Sequence, residues 1–384
     1  MTSRRHRIHA GFTIVELLVA IALGLMILAS LAGLFVNSST NQRELQRSAQ
    51  QIENGRYALD VLSQDLSVTG YLGPFRKYAT PAALPDPCDV TTAALQTAIG
   101  LPVQGYSAGS TTSKPTPPVT CAKLVAANLA AGSDILVIRR ADTSPVAIGA
   151  ATPAGEVYLQ SISAAAIVQA GGGTFDCANN VAGAPTTLTR RCVSPAASDA
   201  CAAVCTGGGN PTAETRKLHV HIYFVAPCSV PAGGGDICTG AAGEDTIPTL
   251  KRLEVTNVGG VTNFQVVPIA EGVQYMNMEY GIDDTPVTPD QNTGLVGDGI
   301  PDRYSLAPNL ADFANAVTVR VDLLVQNPEP SPGFTDAKTY NLGVDPIVPT
   351  NPAMTLGPFN DSYRRHVYSA EIRLVNLAGR KEIP

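Results

Sequence analysis

The stretch Gly11-Phe12-Thr13-Ile14-Val15-Glu16 decides how the rest of the chain is read. Three arginines stand before it, Arg4, Arg5 and Arg7, and an apolar run follows it as far as Val36. A secretory signal carries its small-residue cleavage site after the apolar stretch. Here the small residue, Gly11, comes first. Cleavage between Gly11 and Phe12 leaves the apolar segment on the mature chain, with Phe12 as its new N-terminus.

Phe12 to Val36 is about 25 residues, enough to cross about 30 Å of hydrocarbon as a helix. The arginines on its N-terminal side keep that end in the cytoplasm and send the rest across the membrane. Glu16 is the anomaly in this run. A carboxylate at that depth costs on the order of 2–3 kcal/mol, so it is expected to be paired and functional. The freed α-amine of Phe12 is the nearest partner, and its reference pKa of about 7.7–8 keeps it largely cationic at neutral pH. Within one helix the two groups stack along the same axis. Between two chains offset by about a turn the pair closes, so Glu16 reads as a register device for assembly. The alternative is a glutamate that snorkels to the headgroups. Ala20-x-x-x-Gly24 and Ala29-x-x-x-Gly33 add small residues four apart, which let membrane helices approach closely.

The helical pattern continues past Val36. Leu45, Ile52, Leu59 and Leu66 recur every seven residues, and Val61 and Leu62 widen the stripe, so residues 37–70 form the amphipathic second half of the same helix. The first proline after Phe12 is Pro74, and Gly70-Tyr71-Leu72-Gly73-Pro74 is a stop signal. A helix from Phe12 to Thr69 is about 87 Å long at 1.5 Å per residue. Residues 71–384 form the head. Residues 75–245 read as a variable insertion, rich in Pro, Thr, Ala and Gly, with one short helix near Thr92–Ile99 and a strand at Asp134–Arg139. Thereafter the chain reads as sheet: Leu218–Phe224, a hairpin of Thr249–Thr256 and Asn263–Ile269 around Gly259-Gly260, then Gln274–Ile282, Val317–Val325 and a last strand Val367–Leu377. No strand–helix alternation occurs, so the sheet is expected to be antiparallel and the fold class α+β.

At 384 residues the chain is long enough for one or two domains with real cores. Its net charge is −6, and removing the leader's three arginines takes it to −9. That acidic balance argues against nucleic acid as a partner. The eight cysteines, Cys88, Cys121, Cys177, Cys192, Cys201, Cys205, Cys228 and Cys238, all follow the apolar helix, on the exported side. An even number in an oxidising compartment favours disulfides that staple the long loops. Their connectivity is open; Cys228 with Cys238 across a Gly-rich loop is one neighbour pairing. Zinc on Cys201, Cys205, His219 and His221 is the rival reading, and the spacing fits no closed structural site well.

Two motifs suggest chemistry. Gly105-Tyr106-Ser107-Ala108-Gly109 satisfies G-x-S-x-G, but Pro115, Pro117 and Pro118 follow where the nucleophile elbow needs a helix, so a hydrolase is not expected. Asp283, Asp284, Asp290, Asn292, Asp298 and Asp302 lie on an acidic, Gly-rich loop. Oxygen ligands on a flexible loop suit calcium, although the EF-hand order is broken; the alternative is a solvated turn. His219 and His221 read as surface residues of an amphipathic strand, and Arg364-Arg365 as a solvated pair on an edge strand.

Gly11, Phe12 and Glu16, with the basic leader and the apolar run, resemble a class III prepilin signal. Glu53-Asn54-Gly55-Arg56-Tyr57-Ala58-Leu59, Asp65-Leu66 and Gly70-Tyr71 resemble the minor pilins of the PilW family. So do Glu271-Gly272-Val273, Tyr280-Gly281-Ile282-Asp283, Val319–Val325 and Arg364–Tyr368. The resemblance implies a pilin-like fold, cleavage after Gly11 by prepilin peptidase, and N-methylation of Phe12. It also implies a non-enzymatic role in type IV pilus assembly, in a priming or tip complex with other minor pilins and the major pilin, and with a tip adhesin. The chain would sit in the inner membrane with a periplasmic head and then in the pilus at the cell surface. The alternatives are a minor pseudopilin of a type II secretion system and a stand-alone membrane-anchored adhesin.

Overall fold

The computed structural model describes residues 13–76, 79–109, 114–118, 120–147, 151–161, 166–172, 214–285, 297–343 and 354–382. The chain divides into two compact units between Gln50 and Gln51. Helix α1, Ile14–Ser67, contributes to both. No proline interrupts it, and Gly70 with φ 74° follows its end, the left-handed conformation in which glycine pays no Cβ penalty. In the first unit the apolar side chains from Ile14 to Val36 stand in the open, Ile14 at 78% and Phe35 at 75% exposure. This helix is long and apolar enough to cross a membrane.

The second unit holds two main sheets. The first contains β1 (Val103–Ser107), β2 (Asp134–Ala141), β3 (Val157–Ser161), β4 (Ala166–Ala170), β5 (Glu214–Ala226), β6 (Thr249–Val258) and β7 (Val261–Glu271). β5 pairs with β2 along one side and divides its other side between β3, at residues 214–217, and β6, at residues 221–226. The second sheet runs β13-β10-β8-β9, with β8 Val273–Ile282, β9 Arg303–Ser305, β10 Ala316–Gln326 and β13 Arg365–Arg373. β11 (Tyr340–Leu342) and β12 (Met354–Leu356) make a separate ribbon. Short helices complete the unit: α2 Thr92–Ala98, α3 Leu310–Ala314 and α4 Val375–Lys381. All pairings between these strands are antiparallel.

The chain passes from the first sheet to the second at Gly272. Its φ is 83°, and a Cβ there would lie 2.4 Å from the Gln326 carbonyl oxygen. Gly272 N–H donates to Pro248 and its carbonyl accepts from Gln326 N–H, so one residue ties both sheets and tolerates no side chain.

Residues of β2 alternate between two cores. Leu136 and Ile138 join Tyr223, Val225, Met276, Met278, Val319 and Val321 between the sheets, where Ala58, Leu62 and Leu66 of α1 also pack. Ile135 and Val137 face the other way, onto Leu95, Ile99, Ile222 and Phe224. Burial on both faces explains why the strands read as apolar runs with weak alternation. The stretch of β8 edge that β9 leaves free, before Tyr280, is closed by side chains. Met276 N–H donates to Ser133 Oγ, and Met278 N–H donates to Asp134 Oδ2 at 2.7 Å.

Several expectations are corrected here. The buried stripe of α1 is Gln51, Gly55, Ala58, Leu62, Asp65 and Leu66, whereas Ile52 and Leu45 are exposed. Two polar residues on the buried face find partners, which a count of apolar positions does not register. Inside the insertion, β1, β3 and β4 form where no strand was expected. The final strand ends at Arg373, and Val375–Lys381 turns into α4. Arg365 is not solvated. Its guanidinium is 1% exposed and bonded to Asp336, Asp361, Gln274 and Gln326, while Arg364 lies over the Phe334 ring.

Candidate functional site

The exposed start of α1 is the segment whose chemistry is least explained by the fold around it. From Thr13 to Gln42 the only charged residue is Glu16. Thr13 is the N-cap, and its Oγ1 accepts the Glu16 backbone N–H at 3.2 Å. Glu16 reaches back, its Oε2 accepting from Thr13 N–H at 3.4 Å and from Thr13 Oγ1 at 3.3 Å. This is a reciprocal capping box, which satisfies helix-end N–H groups. The Thr-x-x-Glu spacing signalled it, and the sequence reading missed it by weighing Glu16 only as a charge. Thr13 supplies hydrogen bonds but no positive charge, so the cap orients the carboxylate without neutralising it. Gly11 and Phe12 lie outside the described residues.

The later turns of α1 are locked onto the head by polar contacts. Gln51 Nε2 donates to the carbonyls of Val325, at 2.7 Å, and Arg364, at 2.9 Å. Asn54 donates to Glu271 O at 3.0 Å. Asp65 is the centre of a larger cluster: it contacts His221 Nδ1, accepts from Tyr223 OH at 2.8 Å and pairs with Arg140 Nε at 2.7 Å. Burial pushes the Asp65 carboxyl up, but the bonds and charges of His221 and Arg140 outweigh it and hold it well below the usual carboxylate range. His221 is therefore a buried docking residue, not a surface one, because α1 brings Asp65 to a strand 156 positions away in sequence. Its neighbour His219 sits 3.3 Å from Asp142 and is pushed down to about 4, first by burial and then by the Arg140 charge.

Two disulfides lie among the described residues, Cys88–Cys121 and Cys228–Cys238. Cys177, Cys192, Cys201 and Cys205 fall outside them, as do Asp290 and Asn292. The described acids of the calcium candidate are already engaged. Asp283 accepts from Thr285 and Gly299 N–H, Asp284 pairs with Arg303, Asp298 caps Ile300 N–H, and Asp302 accepts from Asp284 N–H. Among the described residues the group of three ligand-type atoms within 4.8 Å is Asp86, Cys88 and Cys121, two of which form a disulfide. Ser107 ends β1 buried, with its Oγ donating to Gly109 O at 3.1 Å, which is not the geometry of an exposed nucleophile.

Against known families, residues 237–376 match the model for type IV pilus-assembly protein W. Residues 6–32 match the prokaryotic N-terminal methylation motif. Two separate stretches of the chain thus resemble proteins of type IV pilus assembly, one in the head and one at the start of α1. The PilW match spans β6 to β13 and leaves most of the insertion outside it. The methylation motif covers the capping box and the exposed apolar turns after it. No curated protein matches the chain. Among solved structures, a type IV-like pilin from Thermus thermophilus is similar at 17% identity, over 41% of this chain and 78% of that one, with a TM-score of 0.19. The likeness to PilW rests on the two family matches, and the α+β architecture on the elements described above.

Proposed function

We propose that this minor pilin is cut after Gly11, methylated on Phe12, and enters a priming or tip complex in which Glu16 pairs with the Phe12 amine of a neighbouring subunit. The observation that carries the reading is Glu16 itself, a lone carboxylate oriented by Thr13 on an otherwise apolar, exposed helix. Leaving it unpaired in lipid costs on the order of 2–3 kcal/mol. A methylated secondary amine remains cationic at neutral pH and supplies the missing charge. The partners are other minor pilins and the major pilin, with a tip adhesin on the outer side, and the head is periplasmic before incorporation. No enzymatic step belongs to this role, and calcium on the loop around Asp283 and Asp298 is not needed for it.

Mass spectrometry of the N-terminus tests the processing: a mature chain beginning with methylated Phe12 is expected, and one beginning at Met1 refutes it. Glu16→Ala tests the pairing. The variant is expected to stay in the membrane fraction and to be lost from sheared pili. If Glu16→Ala leaves function unchanged, the stand-alone adhesin reading takes over. The match to a pilus-assembly family favours the pilus over secretion; loss of piliation, rather than of exoprotein release, on deletion is the corresponding result.

A further inference from the structure

Lys114 and Asp134 meet with side chains 0% and 1% exposed. Lys114 Nζ contacts Asp134 Oδ2 and donates to the Met278 carbonyl at 2.7 Å, while the same Oδ2 accepts Met278 N–H at 2.7 Å. As an ion pair this arrangement is poorly satisfied. An ammonium has three donors and a carboxylate two accepting oxygens. Asp134 Oδ1 is buried with no hydrogen-bond partner, and the third Nζ proton has none among the described residues. Neighbouring Met276, Met278 and Tyr280 are fully buried and offer no charge to compensate. Another buried pair, Arg365 with Asp336, differs: Asp336 also accepts from Tyr340 OH, and the guanidinium has Asp361, Gln274 and Gln326 as further partners.

An amide between the same two side chains matches the site group for group. It has one N–H, which Met278 O accepts, and one carbonyl oxygen, Oδ2, which accepts Met278 N–H. The oxygen that no described residue holds, Oδ1, is the one a condensation removes. We propose that Lys114 Nζ and Asp134 Cγ are joined by an intramolecular isopeptide bond. The Nζ lone pair forms the C–N bond, the Cγ–Oδ1 bond breaks, and Oδ1 leaves as water with two protons from Nζ. No oxidant, reductant or outside reagent enters the balance. The product closes the free edge of β8 with an amide in place of two desolvated charges, and ties the segment at Lys114 to β2 independently of any disulfide.

The test is peptide mapping by mass spectrometry of the full-length protein, purified in detergent, reduced, alkylated and denatured. A branched peptide joining the stretches around Lys114 and Asp134, lighter by one water than the sum of its linear parts, is expected. Its absence from Lys114→Arg, together with an intact mass one water higher after allowing for the substitution, is the matching result. Linear peptides alone, with a Lys114 amine open to acylation after denaturation, overturn the proposal. The wild-type map decides by itself, even where the variant fails to fold.

Discussion

At the helix–head joint three donors, from His221, Tyr223 and Arg140, converge on the buried Asp65 carboxylate. Removing it as Asp65→Ala strands His221 and Arg140 in the interface and is expected to lower stability by about 3 kcal/mol at pH 7, read by urea denaturation. Two acid limbs follow from the shifts. His219 is held at about 4 in the folded chain, against 6.5 when unfolded. Between those values the unfolded chain binds the proton and the folded chain does not, so stability falls as pH drops from 6.5 towards 4, by up to about 3 kcal/mol. His219→Gln should flatten that limb in a Tm-against-pH series. The Asp65 carboxyl is lowered from 3.8. Its contribution is present above 3.8 and is lost below it, and Asp65→Asn should remove that lower limb. At this scale Glu16 was legible in the sequence, because a charge inside an apolar run stands out. His221 and Arg365 were not, since their acids arrive from another element or from earlier loops.

The second half of α1 shows what periodicity captures and what it omits. The helix, its length and its amphipathic continuation were readable from spacing and from the absence of proline. The buried stripe was displaced, because Gln51 and Asp65 count as polar in a pattern yet bury by bonding to the head. Gly55 marks the closest approach: a Cβ there would lie 2.5 Å from the Tyr368 ring on β13. Gly55→Leu is expected to cost about 1–3 kcal/mol by overpacking, and Tyr368→Ala in the same chain should recover part of it, a coupling that a double-mutant cycle measures. The β6–β7 hairpin was legible because two consecutive glycines between apolar runs specify a two-residue turn. Gly259 and Gly260 adopt φ 65° and 92°, the positive values that such a turn demands. The short strands β1, β3 and β4 were missed, since five-residue segments in a Pro- and Gly-rich context give little alternation to count.

Across the whole molecule, one core is shared by α1 and both sheets, and disulfides tie down the segments outside it. Cys88 and Cys121 are 33 residues apart, Cys228 and Cys238 only 10. On chain entropy the longer loop is worth about 1 kcal/mol more, so Cys88→Ser with Cys121→Ser should lower the midpoint of denaturation further than Cys228→Ser with Cys238→Ser. The sequence by itself determined the anchored plan: a basic leader, Gly11-Phe12, one acid in an apolar helix, and an antiparallel head. Those features are local, set by hydrophobicity and charge along a few turns or one hairpin. Only the tertiary structure decided which polar residues are interior, which strand shares its edge with two partners, and that Lys114, Asp134 and Met278 meet. Such contacts join positions far apart in the chain, and burial gives them their chemistry by removing the water that would otherwise satisfy each group alone.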